Sequence, residues 1–179
     1  FTIVISGGIT IYISSLDISK LQTPLAQPSY LYDQKGNRIS QLSSSRIEPV
    51  TGQQISLVMK NAIIAVEDRR YYEHKGVDLR SISRALYRDV ITGDFSEGGS
   101  TITQQLAKNL FLASDKTLAR KLKEAAYALK IEAVLDKEEI LEAYLNQIYF
   151  GEGRWGLQNA AQLYFAKNAD ELTLEESAL

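Results

Sequence analysis

Apolar residues recur with a helical period through most of the chain after residue 55. The pattern predicts a first helix from about 55 to 73 that ends near Gly76, and a second that begins after Asp78 as its N-cap and ends near Ile91. Later helices are predicted over 100–112, 116–135, 137–149 and 156–167, with a last one opened by a capping box at Thr173-x-x-Glu176. The predicted fold class is mainly α, with a minor β element on the N-terminal side.

The first 54 residues have a different pattern. Residues 1–16 carry no charge but are short of the roughly 20 residues that span a bilayer. They fit the outer end of a transmembrane helix or, because isoleucines alternate at 9, 11 and 13, a strand. Residues 17–30 hold two of the three prolines and are predicted to be a linker, 30–42 a hairpin with its turn near Gly36, and 43–54 irregular.

Composition narrows the chemistry that the chain can carry. Its 179 residues are enough for one domain with a well-buried hydrophobic core. The absence of cysteine excludes disulfides and thiolate metal sites, and a single histidine excludes a multi-histidine site. Any metal would therefore need carboxylate ligands.

Charge is distributed unevenly along the chain. Residues 101–130 hold six cations and two acids, whereas 131–179 hold three cations and ten acids. A basic middle on a protein of net charge −2 suggests a local anionic partner rather than affinity for nucleic acid.

The stretch AVEDRRYYEHKG, residues 65–76, is the first candidate for catalysis. Helical spacing places Glu67 beside Ile63 and Ile64, and on one stripe with Tyr71 and His74. A partly desolvated carboxylate suits a general base, although a rim charge or an ion pair is the commoner explanation of such a residue. His74 would lie about 10 Å along the helix from Glu67, so we expect it to bond the last helix carbonyls instead.

Two later segments are suited to anions. GGSTITQQLAKN, residues 98–109, opens a helix whose free N–H groups suit an anion, with Ser100, Gln104 and Lys108 on one stripe. KTLARKLKEAAY, residues 116–127, places several cations around Glu124, and such a helix can hold a diphosphate. Taken separately, a capped surface helix and a solvated basic face are the commoner explanations of these two segments. A fourth segment, 137–167, is expected to be structural, with Tyr144, Asn146 and Tyr164 buried and hydrogen-bonded.

Taken in order, these segments resemble a known family. EDRRYYEHKG, GGSTITQQLAKN, RKLKE, KEEILEAYLNQIYFG and GLQNAAQLYFAK are similar to the five motifs of the peptidoglycan glycosyltransferases, glycosyltransferase family 51, found in class A penicillin-binding proteins and monofunctional transglycosylases. The likeness spans roughly residues 62–167. It departs at Tyr71, where the family usually has Phe, and at Lys116, where some members have Arg.

The resemblance implies a lysozyme-like, mainly α fold with a membrane-facing jaw, and an enzyme that polymerises lipid II. Glu67 matches the catalytic base, which would deprotonate the 4-hydroxyl of the acceptor's N-acetylglucosamine. That oxygen attacks the anomeric carbon of the growing chain's terminal N-acetylmuramic acid. Undecaprenyl pyrophosphate then leaves, and the configuration inverts.

The resemblance also assigns binding residues. Glu124 matches a second essential glutamate that organises the pyrophosphate-binding cations or a divalent ion, Mg²⁺ or Mn²⁺; no organic cofactor is expected. Asp68 would support Glu67. The residues expected to bind substrate are Asp68, Tyr71, Ser100, Thr101, Gln104, Gln105, Lys108, Lys116, Arg120, Lys121 and Lys123.

Three regions follow from the same resemblance. Residues 1–16 would be the outer end of a transmembrane helix, 17–54 a linker and hairpin, and 55–179 a glycosyltransferase domain that is incomplete at its C-terminus. The loop 92–99 falls in a region that is mobile in the family and would close over the donor.

The resemblance places the domain on the extracytoplasmic face of the bacterial cytoplasmic membrane. The expected partners are lipid II, the growing glycan strand and divisome or elongasome proteins, with no nucleic acid. A lysozyme-type hydrolase and a catalytically inactive membrane-anchored scaffold remain the alternatives.

Overall fold

The computed structural model describes residues 2–22, 30–41, 47–92, 98–112 and 117–179. Within these ranges the chain is mainly helical, with one two-stranded antiparallel hairpin, which confirms the predicted fold class. The strands are β1 (Tyr30–Tyr32) and β2 (Arg38–Gln41). The helices are α1 (Thr2–Ser15), α2 (Ser19–Gln22), α3 (Leu57–Glu67), α4 (Leu79–Thr92), α5 (Ile102–Phe111), α6 (Leu118–Glu132), α7 (Lys137–Gln147), α8 (Leu157–Phe165) and α9 (Leu174–Ser177).

Helix α5 lies at the centre of the core, packed against α6 and α7. Its apolar face, Ile102, Leu106 and Ala107, is fully buried. Thr101 caps the helix by accepting a hydrogen bond from the Gln104 N–H, and the Gln104 side chain accepts one in return from the Thr101 N–H. Because both ends of this capping box are satisfied, the start of α5 is fixed, and the polar residues around it have defined positions.

The N-terminal segment is helical over Thr2–Ser15, so the strand alternative for residues 1–16 is wrong. None of the described helices is long and apolar enough to cross a bilayer. The hairpin over 30–42 is confirmed, with Gly36 in its turn at positive φ. Half of the predicted linker, at 23–29, lies outside the described residues, as does most of the loop 92–99.

The first long helix is shorter than the pattern predicts. It ends at Glu67, Asp68 leaves the helical conformation, and a separate 3₁₀ turn covers Tyr71–Glu73. The prediction that Glu67, Tyr71 and His74 share one helical stripe is therefore wrong. The physical reason is a contact from far along the chain: the Asp68 carboxylate accepts a hydrogen bond from the Ile102 N–H at the start of α5, which holds Asp68 outside the helix.

Gly76 does not end this helix, but it is required for another reason. Its φ is +86°, and a Cβ atom there would lie 2.8 Å from the carbonyl carbon and oxygen of Ala128 in α6. The backbone between α3 and α4 therefore touches the backbone of α6 directly. The Gly76 carbonyl also accepts a hydrogen bond from the Thr101 hydroxyl at 2.6 Å, so this contact joins three parts of the fold.

We predict that Gly76→Ala lowers the free energy of unfolding by about 2 to 4 kcal/mol, since it adds overpacking to left-handed strain. Gly153→Ala is the matched control, because Gly153 has φ +71° and a Cβ atom there would meet none of the described residues within 4 Å. In Gly153→Ala, backbone strain alone should lower the free energy of unfolding by about 1 to 2 kcal/mol. Urea denaturation measures both values, and equal costs would contradict the close contact with α6.

Candidate active site

Glu67 is the last residue of α3, a helix that begins with Ser56 accepting a hydrogen bond from the Met59 N–H. The Glu67 carboxylate is half-buried, and its Oε2 accepts a hydrogen bond of 2.7 Å from Nε2 of Gln105 in α5. No bond to its Oε1 is found among the described residues. One oxygen is therefore held by the protein, and the other is left to take a proton.

The neighbouring carboxylate, Asp68, is buried and has a different function. Its Oδ2 accepts the hydrogen bond from the Ile102 N–H at 3.1 Å, and both of its oxygens lie 3.0 Å from Nε2 of His74. The expectation that His74 bonds the last carbonyls of the helix is therefore wrong, because its partner is a side chain. Asp68 and His74 together join the end of α3 to the start of α5.

A second cluster lies on the first turns of α6. Glu124 is almost fully buried, and its two oxygens accept hydrogen bonds from Nη1 of Arg120 at 2.6 Å and Nζ of Lys121 at 2.7 Å. Lys121 also donates to the Ser100 hydroxyl at 2.5 Å, which ties this cluster to the segment that precedes α5. Two cations against one carboxylate leave one net positive charge.

Two cavities meet at the end of α3. A polar one of about 490 Å³ has Glu67, Asp68, Ser100 and Thr101 in its wall. A largely apolar one of about 640 Å³ has Glu67 in its wall together with aromatic side chains that include Phe150 and Tyr164 from the C-terminal part. Glu67 and its neighbour Val66 border both cavities. The carboxylate can therefore be approached from two sides.

Sequence reasoning missed the cations of the polar cavity. Arg69, Arg84 and Arg88 contribute to its wall. Arg84 and Arg88 are four residues apart, so they lie on one side of α4, and this spacing in LRSISRALYRDV was a signal available in the sequence. The predicted basic stripe on α6 is thus one of two groups of cations near the candidate site.

The predicted substrate-binding residues do not all reach the site. Tyr71 is fully buried and its hydroxyl donates to the Lys137 carbonyl, which contradicts the prediction that it binds substrate. Gln104 is also buried, inside the capping box of α5. It is Gln105, one residue later, that reaches Glu67.

The other predicted lysines either do not line the two cavities or lie outside the described residues. Lys108 and Lys123 are exposed and border neither of the two cavities. Lys116 lies outside the described residues. Their assignment to pyrophosphate binding stays a prediction.

The expected divalent ion at Glu124 stays a prediction. No group of three or more acidic, histidine or cysteine side chains comes together in the ranges that the structure describes. Glu124, the residue predicted to approach a divalent ion, already has a cation on each of its oxygens.

The model of the family described as Transglycosylase matches residues 35–179, which is most of the chain. The chain belongs to the transglycosylase family. Its relatives include penicillin-binding protein 1F of Bacillus subtilis, 45% identical over 169 residues that cover 94% of this chain and 24% of that protein. Penicillin-binding protein 1A of Escherichia coli is 48% identical over 164 residues, covering 91% and 19%.

A third relative, penicillin-binding protein 1A of Aquifex aeolicus, is 47% identical over 153 residues, covering 86% of this chain and 21% of that protein. The chain therefore spans about a quarter or less of the length of these transglycosylase relatives. The likeness to the peptidoglycan glycosyltransferase motifs is confirmed at the level of the family.

We predict that His74→Asn lowers the free energy of unfolding by about 1 to 2 kcal/mol, because the shorter side chain loses its contact with the buried Asp68 carboxylate. The melting temperature measures this loss. The pH dependence of activity should be unchanged. Loss of a limb between about pH 6 and 7, near the ordinary histidine pKa, would show instead that His74 takes part in proton transfer.

Proposed function

We propose that this transglycosylase polymerises lipid II into peptidoglycan glycan strands by inverting glycosyl transfer. The observation that carries the proposal is the position of Glu67, a half-buried carboxylate between two cavities. A transfer between two large substrates needs a base within reach of the acceptor while the donor lies on the other side. The transglycosylase family and its penicillin-binding relatives support the same reaction.

In this mechanism Glu67 is the general base. Its Oε1 takes the proton from the acceptor's 4-hydroxyl, while Oε2 stays bonded to Gln105. The deprotonated oxygen attacks the anomeric carbon of the growing chain and the bond to the pyrophosphate breaks, so the linkage inverts. Asp68 is occupied by His74 and the Ile102 N–H, and we therefore give it a supporting role.

The leaving pyrophosphate needs positive charge on the side opposite to the base. The cluster on α6 supplies a net positive charge beside Ser100, and Ser100 is part of the wall of the polar cavity. Nε of Arg120 is buried without a protein partner among the described residues, so it has a donor to offer an anion. Arg84 and Arg88 add charge from the facing helix α4. A glycan hydrolase has no diphosphate to hold, so these cations argue against the lysozyme-type alternative.

We also propose that the reaction takes place at the extracytoplasmic face of the bacterial cytoplasmic membrane. Large apolar side chains are exposed on α4 and α6, the two helices that carry the cations: Leu79, Tyr87, Ile91, Leu118 and Leu122. Exposed apolar side chains next to a cationic site suit a lipid-linked diphosphate at a membrane surface. We also propose that the uncharged helix α1 is the outer end of a transmembrane helix. Proteins of the divisome or elongasome are the proposed partners of the domain.

Glu67→Gln should abolish polymerisation of lipid II, because an amide cannot accept the acceptor's proton. Activity is measured as glycan strand formed from purified lipid II, and folding is checked by the melting temperature. Glu142→Gln is the control, since Glu142 is also half-buried and accepts one hydrogen bond, from the Gly52 N–H, but borders neither cavity. It should polymerise at nearly the wild-type rate. Polymerisation by Glu67→Gln at that rate would refute the role of the base.

Glu124→Gln should cost most of the activity, on the order of 10²-fold, because it releases the two cations from their fixed positions. Glu132→Gln, in the same helix, is the matched control. The Glu132 carboxylate accepts hydrogen bonds from Lys137 and Thr103, so its loss also breaks a shielded ion pair. The control should lower the melting temperature while the rate of polymerisation stays within a few-fold of wild type.

The Glu124→Gln variant also tests whether Glu124 acts through a divalent metal ion. If Glu124 acts through its cations alone, the loss caused by Glu124→Gln is equally large with and without chelation of divalent ions. If the loss disappears after chelation, Glu124 acts through a metal ion instead.

A further inference from the structure

A buried tyrosine completes the hydrogen bonds around Glu67. The hydroxyl of Tyr144, in α7, donates to Oε1 of Gln105 at 3.2 Å. The other end of the same amide, Nε2 of Gln105, donates to Oε2 of Glu67 at 2.7 Å. A chain of two hydrogen bonds thus connects the core of the protein to the carboxylate, and it crosses from α7 through α5 to the end of α3.

The chemistry of the three groups fixes their orientation. An ionised carboxylate only accepts hydrogen bonds, so the amide must present its NH₂ group to Glu67. The amide oxygen of Gln105 then faces away from Glu67 and needs a donor, which the Tyr144 hydroxyl provides. A side-chain amide that is hydrogen-bonded through both its oxygen and its nitrogen cannot rotate by 180° without losing both hydrogen bonds.

Tyr144 is suited to remain a donor. Its side chain is fully buried, and burial together with the nearby charge of Glu67 raises the pKa of Tyr144 above its ordinary value. The hydroxyl therefore keeps its proton throughout the range in which a carboxylate base operates. Removal of that hydroxyl would leave the amide oxygen of Gln105 without its donor. The amide could then rotate and bring its oxygen, instead of its NH₂ group, to Glu67.

We propose that Tyr144 is a positioning residue for Glu67, acting through the side-chain amide of Gln105. The inference rests on the proposed function, in which Glu67 is the base. Tyr144 holds the amide with its NH₂ group on Oε2, which fixes the plane of the carboxylate and leaves Oε1 to meet the acceptor hydroxyl.

Tyr144→Phe tests this inference, because it removes the hydroxyl and keeps the ring that fills the core. In the full chain, the carboxyl-carbon NMR signal of Glu67 should titrate at a pH higher by roughly half to one unit, since an amide free to turn its oxygen toward the carboxylate favours the protonated form. The acid limb of the kcat/KM profile should move in the same direction, and an unchanged titration would overturn the proposal.

Tyr72→Phe is the control for the loss of a tyrosine hydroxyl. The Tyr72 hydroxyl donates to Oε1 of Glu138 at 2.8 Å, and Tyr72 borders neither cavity. This variant should leave the titration of Glu67 where the wild-type protein has it. A shift of equal size in the control would mean that the effect is general rather than transmitted through Gln105, and would overturn the proposal.

A double-mutant cycle tests whether Gln105 carries the effect. Gln105→Met should shift the titration of Glu67 upward by itself, and adding Tyr144→Phe to that background should cause no further shift. Additive shifts would contradict the relay. If Tyr144→Phe does not fold, Gln105→Met alone decides, because the absence of a shift there would also overturn the proposal.

The titration requires no turnover, so its result is independent of the substrate. If Glu67→Gln still polymerises lipid II, the proposed function fails whatever the NMR experiment shows. If Glu67→Gln is inactive and the titration does not respond to Tyr144, only the relay fails.

Discussion

The buried carboxylate of Asp68 is the constraint on which the candidate site depends. It accepts the first free N–H of α5 and contacts His74, and so it joins the end of α3 to the start of α5. An anion at a helix N-terminus is favourable both for its hydrogen bonds and for the helix dipole. With these two ends joined, Glu67 faces Gln105 from the adjacent helix, and the distance between them is 2.7 Å.

The site separates two kinds of charge by function. On one side a half-buried carboxylate has one oxygen held and one oxygen available. On the other, Arg120, Lys121 and Glu124 form a cluster with a net positive charge, and Lys121 reaches Ser100 just before α5. Because both groups are attached to α5 or to the residues that precede it, their separation is set by one helix. The proposed inverting transfer needs proton removal and leaving-group stabilisation on opposite sides of the reacting carbon.

Much of the fold was predictable because helical periods and caps are local signals. The capping box at Thr173 and the start of α4 after Asp78 appear in the structure as predicted. The end of α3 at Glu67 was not predictable, because it is caused by Ile102, which is 34 residues away. The stripe pattern also selected Gln104 as a site residue, but the capping box at the start of α5 buries Gln104, and Gln105 reaches Glu67 instead. The arginines of α4 became part of the site only through tertiary packing.

We propose that this site joins two sugars with release of a lipid diphosphate. The most direct measurement is product analysis after the full chain is incubated with purified lipid II. We expect undecaprenyl pyrophosphate and a glycan whose new linkages are all β, inverted from the α-linked donor. Release of reducing ends from finished glycan without consumption of lipid II would identify a hydrolase, and α-linked products would exclude a single displacement assisted by Glu67.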